Sequence, residues 1–310
     1  MKVLFVSSGN KKGGISPIVY NQGESIKKQG IELDYFTVEG KGWKGYVEHL
    51  IPLAKKVRQN KYDLVHAHYS LCGILATMAV PKAIPIIVSL MGTFQKNTWK
   101  YHVIRFLGRT RWKEVIVKSA LMKKQIGIDR AHILPNGVDL TKFHSLQTKE
   151  ELRAELGLPE KKKIVLFVSD PARPEKNFAL CKASVEGLER EGVELVAVYN
   201  KPHEEVTRYM LAADVLMLTS FTEGSPNVIK EAMAASCPIV STNVGDVSLL
   251  LNGLEGTYIL HSFSSGEGTL AVRRALAFEK RTEGVNQLKM LHLDEVDVAQ
   301  RIIHLYQTPI

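Results

Sequence analysis

The sequence has 310 residues, of which 45% are hydrophobic and 24% are charged, so it has the composition of a packed globular protein rather than of a disordered, collagen-like or coiled-coil chain. Its longest apolar stretch, Leu71–Val80, is shorter than the ~20 residues that a membrane-spanning helix needs. The net charge of +9 is unevenly divided: residues 1–145 hold 23 Lys and Arg against 9 Asp and Glu, and the remainder holds 18 against 23. The basic first half indicates an anionic partner, with a solvated basic face as the alternative.

The beginning of the chain and its cysteines indicate a cellular compartment. Met1–Val6 is typical of a first strand that runs into a loop, and it lacks the long apolar core of a signal peptide. Cys72, Cys181 and Cys237 are widely spaced and odd in number, which gives neither a disulfide framework nor a zinc-binding pattern. We therefore expect a cytoplasmic protein.

Short apolar runs alternate with helical patterns in chain order. The first series of strands is predicted at Val3–Val6, Leu33–Phe36, Leu64–Ala67, Ile86–Leu90, Glu114–Val117 and His132–Leu134, with amphipathic helices at Ile18–Lys28 and Val47–Gln59. The second series is predicted at Ile164–Val168, Leu195–Val198, Val215–Leu218, Pro238–Ser241 and Thr257–Leu260, with helices at Phe178–Glu189, Glu204–Ala213 and Pro226–Ala235. Repeated strand–helix units predict an α/β protein whose parallel sheets are covered on both faces.

The two series are separated by a polar segment at Lys142–Glu150. The simplest interpretation is two Rossmann-like domains in tandem, over residues 1–145 and 146–295. A last amphipathic helix is predicted at Val296–Tyr306, within residues 296–310.

A helix-start pattern occurs once in each half. Gly13 and Gly14 precede Ser16 and Pro17 after the first strand, and Glu223-Gly224-Ser225-Pro226 precedes a helix in the second half. Ser favours the N-cap, Pro favours the first helical position, and the exposed N–H groups of a helix start can bind an anion. Ligands of open α/β sheets bind beyond the carboxyl ends of the strands, so two such helix starts suit a diphosphate. The alternative is a pair of plain strand–helix turns.

Other motifs carry weaker signals. Gly40-Lys41-Gly42-Trp43-Lys44-Gly45 spells the dinucleotide pattern, but it follows the second strand, so a plain loop is the favoured interpretation. His66 and His68 alternate onto one face at a strand end, where His68 is a candidate catalytic or substrate-contacting residue, and His66 is as readily a core residue. No Asp-x-Asp metal motif is present.

The segment Ala212–Asp246, with Glu223 and Glu231 eight residues apart, resembles the donor-site signature of the family-4 glycosyltransferases. Three further segments resemble the family in order: Gly13–Tyr20, Tyr62–Ser70 and Ile133–Phe143. The resemblance implies a GT-B fold, in which two Rossmann-like domains with parallel sheets face each other across a cleft and the C-terminal helix crosses back to the N-terminal domain. It also implies retention of anomeric configuration, with no required metal or other cofactor and a nucleotide-sugar, UDP- or GDP-linked, as substrate.

The same resemblance assigns roles to individual residues. It implies that Glu231 binds the ribose and that Glu223 acts at the anomeric carbon of the transferred sugar. The leaving phosphate would be neutralised by Arg173 and Lys176, and Gly13 and Gly14 would lie by the diphosphate. Backbone groups would line the sugar and phosphate at Gly224, Ser225, Pro226, Asn227 and Val228, where Pro226 contributes no N–H. The sequence departs from the family at Asp170, which precedes Arg173, at Met91, and in the short segment between Val198 and Glu204.

A basic stretch with interleaved aromatics, residues 96–124, holds nine Lys and Arg against Glu114 alone. This pattern suits an anionic membrane surface, and it is also typical of nucleic-acid binding or of an amphipathic helix whose aromatics are core. We expect a sugar transferase for a cell-envelope glycan or its lipid-linked precursor, similar to the teichuronic or capsular type, that is peripheral on the inner face of the membrane. The alternatives are another GT-B enzyme such as a nucleotide-sugar epimerase and, ranked last, a basic nucleic-acid-binding protein; no nucleic acid is expected as a partner.

Overall fold

A computed structural model describes residues 1–9, 14–40, 42–92, 94 and 98–309. The chain forms two compact units, Met1–Gly137 together with Glu295–Ile310, and Val138–Asp294. The polar segment near residue 145 is not where the units divide, because Val138, Leu140 and Phe143 pack in the core of the second unit.

The first unit contains a six-stranded parallel sheet. Its strands are β1 (Lys2–Ser8), β2 (Glu32–Val38), β3 (Leu64–His68), β4 (Ile86–Ser89), β5 (Glu114–Val117) and β6 (His132–Ile133), in the order β2-β1-β3-β4-β5-β6. Its helices are α1 (Pro17–Lys28), α2 (Gly42–Glu48), α3 (Leu50–Gln59), α4 (Ser70–Ala79), α5 (Trp99–Thr110) and α6 (Ala120–Ile126).

The second unit contains a five-stranded parallel sheet. Its strands are β7 (Lys163–Val168), β8 (Val193–Val198), β9 (Val215–Leu218), β10 (Ile239–Thr242) and β11 (Thr257–Leu260), in the order β11-β10-β9-β7-β8. Its helices are α7 (Lys149–Leu156), α8 (Phe178–Glu186), α9 (His203–Ala212), α10 (Asn227–Ala234), α11 (Val247–Leu250), α12 (Ser265–Ala277) and α13 (Gly284–Met290). The predicted α/β class with two parallel sheets is confirmed.

Each sheet is buried on both faces, as its apolar strands require. In β1, Leu4 and Val6 pack in one core cluster, whereas Val3 and Phe5 pack in the cluster on the other face. The same alternation holds in β7, where Ile164 and Val165 belong to different clusters. Packing on both faces fixes the strands of each sheet, and it therefore fixes the points from which the loops after their carboxyl ends begin.

The last helix, α14 (Glu295–Gln307), packs on the first unit. Val298, Ile302 and Tyr306 are buried with the residues of β1, and the Tyr306 hydroxyl lies 2.7 Å from Nδ1 of His66. This confirms the predicted return of the C-terminal helix to the first domain.

The basic stretch 96–124 is not one helix; its described part forms α5, β5 and α6, and Lys96 lies outside the described residues. Its aromatics divide between two environments. Trp112 is buried and donates its Nε1–H to Thr77 Oγ1 over 2.8 Å, whereas Trp99 and Phe106 are largely exposed. Across the described part of the chain, no helix has both the length and the apolar character needed to span a membrane.

Candidate functional site

A cavity of about 530 Å³ lies in the second unit where β7 and β8 end. Val168 and Val198, the last residues of these strands, line it, and so do the loops that follow them, including Asp170 and Lys201. The carboxyl ends of neighbouring parallel strands meet at one edge of a sheet, which is where open α/β sheets bind ligands. The cavity therefore stands in the position expected of a ligand site.

The predicted helix start opens onto this cavity. Pro226, Asn227 and Val228 line it, with Pro226 as the N-cap residue of α10. The predicted Ser225 cap is one residue too early, because the helix begins at Asn227 and the Ser225 side chain is not a cap. The start of a helix directs amide N–H groups outward and is suited to an anion, so this end of α10 is a candidate anion-binding position.

The cations and the first predicted carboxylate meet at the same cavity. Lys176 Nζ lies 2.5 Å from Glu223 Oε1, and the Ser220 hydroxyl donates to that same oxygen over 2.8 Å. Lys176 and Glu223 are both mostly buried, with 17% of each side chain exposed. Arg173 also lines the cavity, but its guanidinium pairs with the exposed Glu175 at 2.5 Å. The site thus contains the paired Glu223 carboxylate and Lys176 ammonium, together with the more exposed guanidinium of Arg173.

Glu231 lies one helical turn into α10 and has a partner that the sequence did not predict. His203 Nε2, in the first turn of α9, lies 3.1 Å from Glu231 Oε1. The bond to Glu231 raises the pKa of His203, with burial and the charge of Lys142 acting in the opposite direction. The contact therefore favours the protonated form of His203, which would pair with the Glu231 carboxylate.

The helix that carries Glu231 also carries a fully buried lysine. Burial lowers the pKa of Lys230 to about 8, although the charges of Asp246 and Glu231 favour its protonated form. Burial also raises the pKa of Asp246. The sequence alone does not predict this buried charge, because a lysine on a helix is expected to face solvent.

The loop that bears Glu223 rests directly on the loop after β10. A Cβ on Gly245 would lie 2.7 Å from the Gly224 carbonyl oxygen, and Gly245 has a φ of +61°. Only glycine satisfies both the backbone angle and the close approach. Gly245 belongs to the Ala212–Asp246 segment, but the sequence alone gave it no role.

The residues predicted on the first unit lie in different environments. Gly13 lies outside the described residues, and Gly14 lies in the loop before α1, where Ser16 is the N-cap and Pro17 the first helical residue. His68 has no exposed surface: it stacks on His66 and packs against Phe5. The prediction that His68 contacts a substrate therefore does not fit this structure, because burial shields both ring nitrogens from solvent. Burial lowers the pKa of both histidines, so the pair is neutral.

The dinucleotide-like pattern has a structural explanation. Gly45 lies within α2, and a Cβ there would come 2.4 Å from the Glu39 carbonyl oxygen. The absence of a side chain at Gly45 permits the tight turn between β2 and α2. For residues 1–9, 14–40, 42–92, 94 and 98–309, no group of three His, Cys, Asp or Glu side chains is arranged to hold a metal ion.

Family models match both halves of the chain. Residues 12–142 match "Glycosyltransferase Family 4", and residues 151–277 match "Glycosyl transferases group 1". The chain belongs to the family-4 glycosyltransferases. The two matched segments fall on the two sheets described above, with the Glu223 and Glu231 loop and helix inside the second.

Two curated glycosyltransferases are similar to this chain over most of its length. The chain is 31% identical over 218 residues to a putative teichuronic acid biosynthesis glycosyltransferase, TuaC, of Bacillus subtilis (strain 168), covering 61% of this chain and 55% of the relative. It is 26% identical over 259 residues to an Escherichia coli UDP-Gal:alpha-D-GlcNAc-diphosphoundecaprenol alpha-1,3-galactosyltransferase, covering 69% and 66%. The chain thus matches between about half and two thirds of these relatives' lengths, and the predicted likeness to the teichuronic type is confirmed.

Solved structures share the fold across almost the whole chain. Sucrose-phosphate synthase from Thermosynechococcus elongatus superposes with a TM-score of 0.79 at 18% identity, covering 99% of this chain and 98% of that one. Anabaena HepE in complex with UDP superposes with a TM-score of 0.74 at 17% identity, covering 98% and 99%. These likenesses confirm the predicted GT-B fold class.

Proposed function

We propose that this protein transfers a sugar from a nucleotide-sugar to a hydroxyl group of a cell-envelope glycan or its lipid-linked precursor, with retention of configuration. The observation that carries the proposal is the Glu223–Lys176 pair beside the start of α10, in a cavity at the carboxyl ends of β7 and β8. The names of the Bacillus subtilis and Escherichia coli relatives support an envelope acceptor. Anabaena HepE has been solved with UDP and with UDP-glucose, which supports a uridine diphosphate donor over a guanosine one.

The proposed reaction joins the acceptor oxygen to the anomeric carbon while the bond from that carbon to the diphosphate oxygen breaks. The acceptor's proton leaves with the nucleoside diphosphate. Negative charge grows on the departing diphosphate, so Lys176, Arg173 and the amide N–H groups of Asn227 and Val228 stabilise it more strongly as the bond breaks. Gly224, in the loop before α10, lets the backbone approach the sugar.

The two carboxylates have separate proposed roles. Glu223 contacts hydroxyls of the transferred sugar and stabilises positive charge at the anomeric carbon, and its bond to Lys176 fixes its position. Glu231 accepts hydrogen bonds from the ribose hydroxyls and exchanges its contact with His203 for them. No metal is assigned a role in this proposal.

Calorimetry and product analysis test the proposal. UDP, GDP and ADP, and then their sugars, are titrated into the protein, and each binder is incubated with and without glycan acceptors. We expect a uridine nucleotide to bind, and saturation at ~100 times its dissociation constant to stabilise the fold by ~2.7 kcal/mol. Failure of every nucleotide to bind contradicts the proposal, and epimerisation of the sugar without acceptor supports the epimerase alternative instead.

We also propose that α5 holds the protein against an anionic membrane surface. Lys100, Arg105 and Arg109 lie on this helix with the exposed Trp99 and Phe106, and α5 contains no acidic residue. Each such cation near an anionic surface contributes ~1 kcal/mol, and salt screens it. Co-sedimentation with anionic vesicles is expected at low salt, to be lost at high salt and in the triple charge-reversal variant K100E/R105E/R109E. Equal sedimentation of this variant and the wild type contradicts the surface assignment.

A further inference from the structure

An apolar cavity of about 870 Å³ lies within the first unit, whereas the proposed donor residues Glu223, Lys176 and Glu231 belong to the second. Helices α2, α4 and α5 form its walls, and Leu90 and Met91, directly after β4, also line it. A volume of this size falls within the ~300–1,000 Å³ range of small-molecule sites. The cavity opens near the carboxyl end of β4, which is the edge of an open α/β sheet where ligands bind.

The rim of this cavity holds large apolar side chains that face water. Trp43 on α2 and Met78 on α4 are each 68% exposed, and Trp99 on α5 is 66% exposed. Exposed aromatic and methionine side chains that converge on one concavity mark an apolar ligand, because single scattered ones are the usual case on a surface. Methionine side chains also adapt their shape to flexible ligands.

Among the described residues that line the cavity, the charged side chain is a lysine. Lys100 lines it, and Arg105 and Arg109 follow on α5, which has no acidic residue. Arg109 donates to the Gly127 carbonyl oxygen over 2.7 Å, and the Arg105 guanidinium lies over the Tyr101 ring, 5.4 Å from its centroid. An apolar cavity with a cationic rim complements a molecule that has a hydrocarbon tail and an anionic head.

We infer that this cavity binds the hydrocarbon chain of a diphosphate-linked lipid, the acceptor of the transfer, with Lys100 beside its diphosphate. The inference rests on the proposed function only in taking the lipid to be the acceptor. The walls of the cavity offer apolar contacts from Ile74, Leu71 and Ile104 along its length, so that a longer chain buries more of its surface. Burial of one methylene strengthens binding roughly fourfold, so affinity rises with chain length until the cavity is filled.

The test is a chain-length series measured by calorimetry below micelle-forming concentrations. Isopentenyl, geranyl and farnesyl diphosphate share a head and differ in their tails, while inorganic diphosphate and farnesol supply the head and the tail alone. We expect affinity to rise along the series, with farnesyl diphosphate at least tenfold tighter than inorganic diphosphate. Excess UDP should leave this binding unchanged, since the proposed nucleotide residues belong to the other unit.

Two variants locate the binding, each with a matched control. Met78→Asp should weaken farnesyl diphosphate at least tenfold, whereas Met290→Asp, at a methionine that is 76% exposed on α13, should not. Lys100→Glu should weaken farnesyl diphosphate and leave farnesol unchanged, whereas Lys82→Glu, in an exposed turn, should change neither.

Several results would overturn the inference. These are an affinity independent of chain length, equal losses in Met78→Asp and Met290→Asp, or displacement of farnesyl diphosphate by UDP. A change of oligomeric state in Met78→Asp without lipid binding in the wild type would assign the cavity to a second copy of the chain. Binding of UDP without binding of farnesyl diphosphate rejects the lipid site and retains the proposed transferase, and the reverse result rejects the nucleotide donor alone.

Discussion

Lys176 and Glu223 are 47 positions apart in the sequence, yet the ammonium and carboxylate groups lie 2.5 Å from each other at the mouth of one cavity. Lys176 lies in the segment between β7 and α8, and Glu223 lies in the loop between β9 and α10, so the pairing of β7 with β9 brings them together. A carboxylate placed near a diphosphate would repel it, and the paired lysine offsets that repulsion. In the proposed reaction, Glu223 would contact the sugar and Lys176 would contact the phosphate.

Replacement of Lys176 tests its part in this pair. We expect Lys176→Met to lower kcat/KM by about tenfold to a hundredfold, since a hydrogen bond to a charged group contributes about 1.5–3 kcal/mol. Lys162→Met is the control, because Lys162 pairs with Glu194 at 2.8 Å beside the opposite end of β7. Both variants are compared by steady-state kinetics with the identified donor. Equal kcat/KM values in the two would contradict a role of Lys176 in the reaction.

Glu223→Gln separates binding from catalysis. The charge at the anomeric carbon is greatest in the transition state, so we expect kcat to fall by roughly a hundredfold or more while donor affinity changes little. Calorimetry gives the affinity and initial rates give kcat. Glu194→Gln, at an exposed carboxylate of β8, is expected to retain full activity. A parallel loss of affinity and kcat would make Glu223 a ground-state contact only.

Glu231→Gln tests the proposed ribose contact. Loss of a charged acceptor should weaken nucleotide binding by about 1.5–3 kcal/mol, which is roughly tenfold to a hundredfold in the dissociation constant. The variant keeps the shape of the side chain, and His203 retains an acceptor oxygen. Glu191→Gln, whose carboxylate pairs with Arg273 on the surface, is the control in the same calorimetric titration. Unchanged affinity in Glu231→Gln would contradict the assignment.

Much of this fold is predictable because each unit repeats one local pattern. β1 is apolar at Val3–Val6 on both faces, which is typical of a parallel strand between two layers, and the structure forms a strand there. The helix α4 was identified only as an apolar stretch, because it has no polar face and therefore no helical periodicity. Similarly, the glycines at positions 266 and 268 weakened the signal for α12.

Less of the candidate site than of the fold can be predicted from the sequence. The helix start of α10 and its two glutamates follow from the sequence pattern, but the partners of those glutamates do not. His203 lies on α9 and meets Glu231 across 28 positions, and that contact depends on how α9 and α10 pack. The wrong expectation for His68 has the same cause. The alternation of side chains along β3 predicts which face of the sheet His68 lies on, but it does not predict that α14 packs over that face and buries it.

The His203–Glu231 contact gives a pH dependence. The folded protein raises the pKa of His203 above its ordinary value of about 6.5. The stabilisation is therefore fully present below that ordinary value and is lost as pH rises through the higher pKa of the folded state. We expect the difference in unfolding free energy between wild type and His203→Gln to be larger at about pH 5.5 than at about pH 8.5. Urea titrations measure it, and the difference should become independent of pH in a Glu231→Gln background.

A side chain at Gly245 is expected to affect both the stability of the second unit and the position of the loop that bears Glu223. Its φ of +61° disfavours any L side chain, and a Cβ there would meet the Gly224 carbonyl oxygen beside Glu223. Gly253 separates these two effects, because its φ is +73° and a Cβ there would meet nothing within 4 Å. Gly245→Ala and Gly253→Ala should therefore share the same backbone strain and differ in the steric contact.

We expect both variants to lose about 1–2 kcal/mol of unfolding free energy from the left-handed backbone, with a further loss in Gly245→Ala alone. The added methyl group should also push the Glu223 loop away from Lys176, so kcat/KM should fall roughly tenfold or more in Gly245→Ala and stay near the wild-type value in Gly253→Ala. Urea unfolding and steady-state kinetics on the same preparations give both quantities. Equal kinetics in the two variants would mean that the loop after β10 does not position Glu223, since the backbone strain is common to both and only the contact with Gly224 differs.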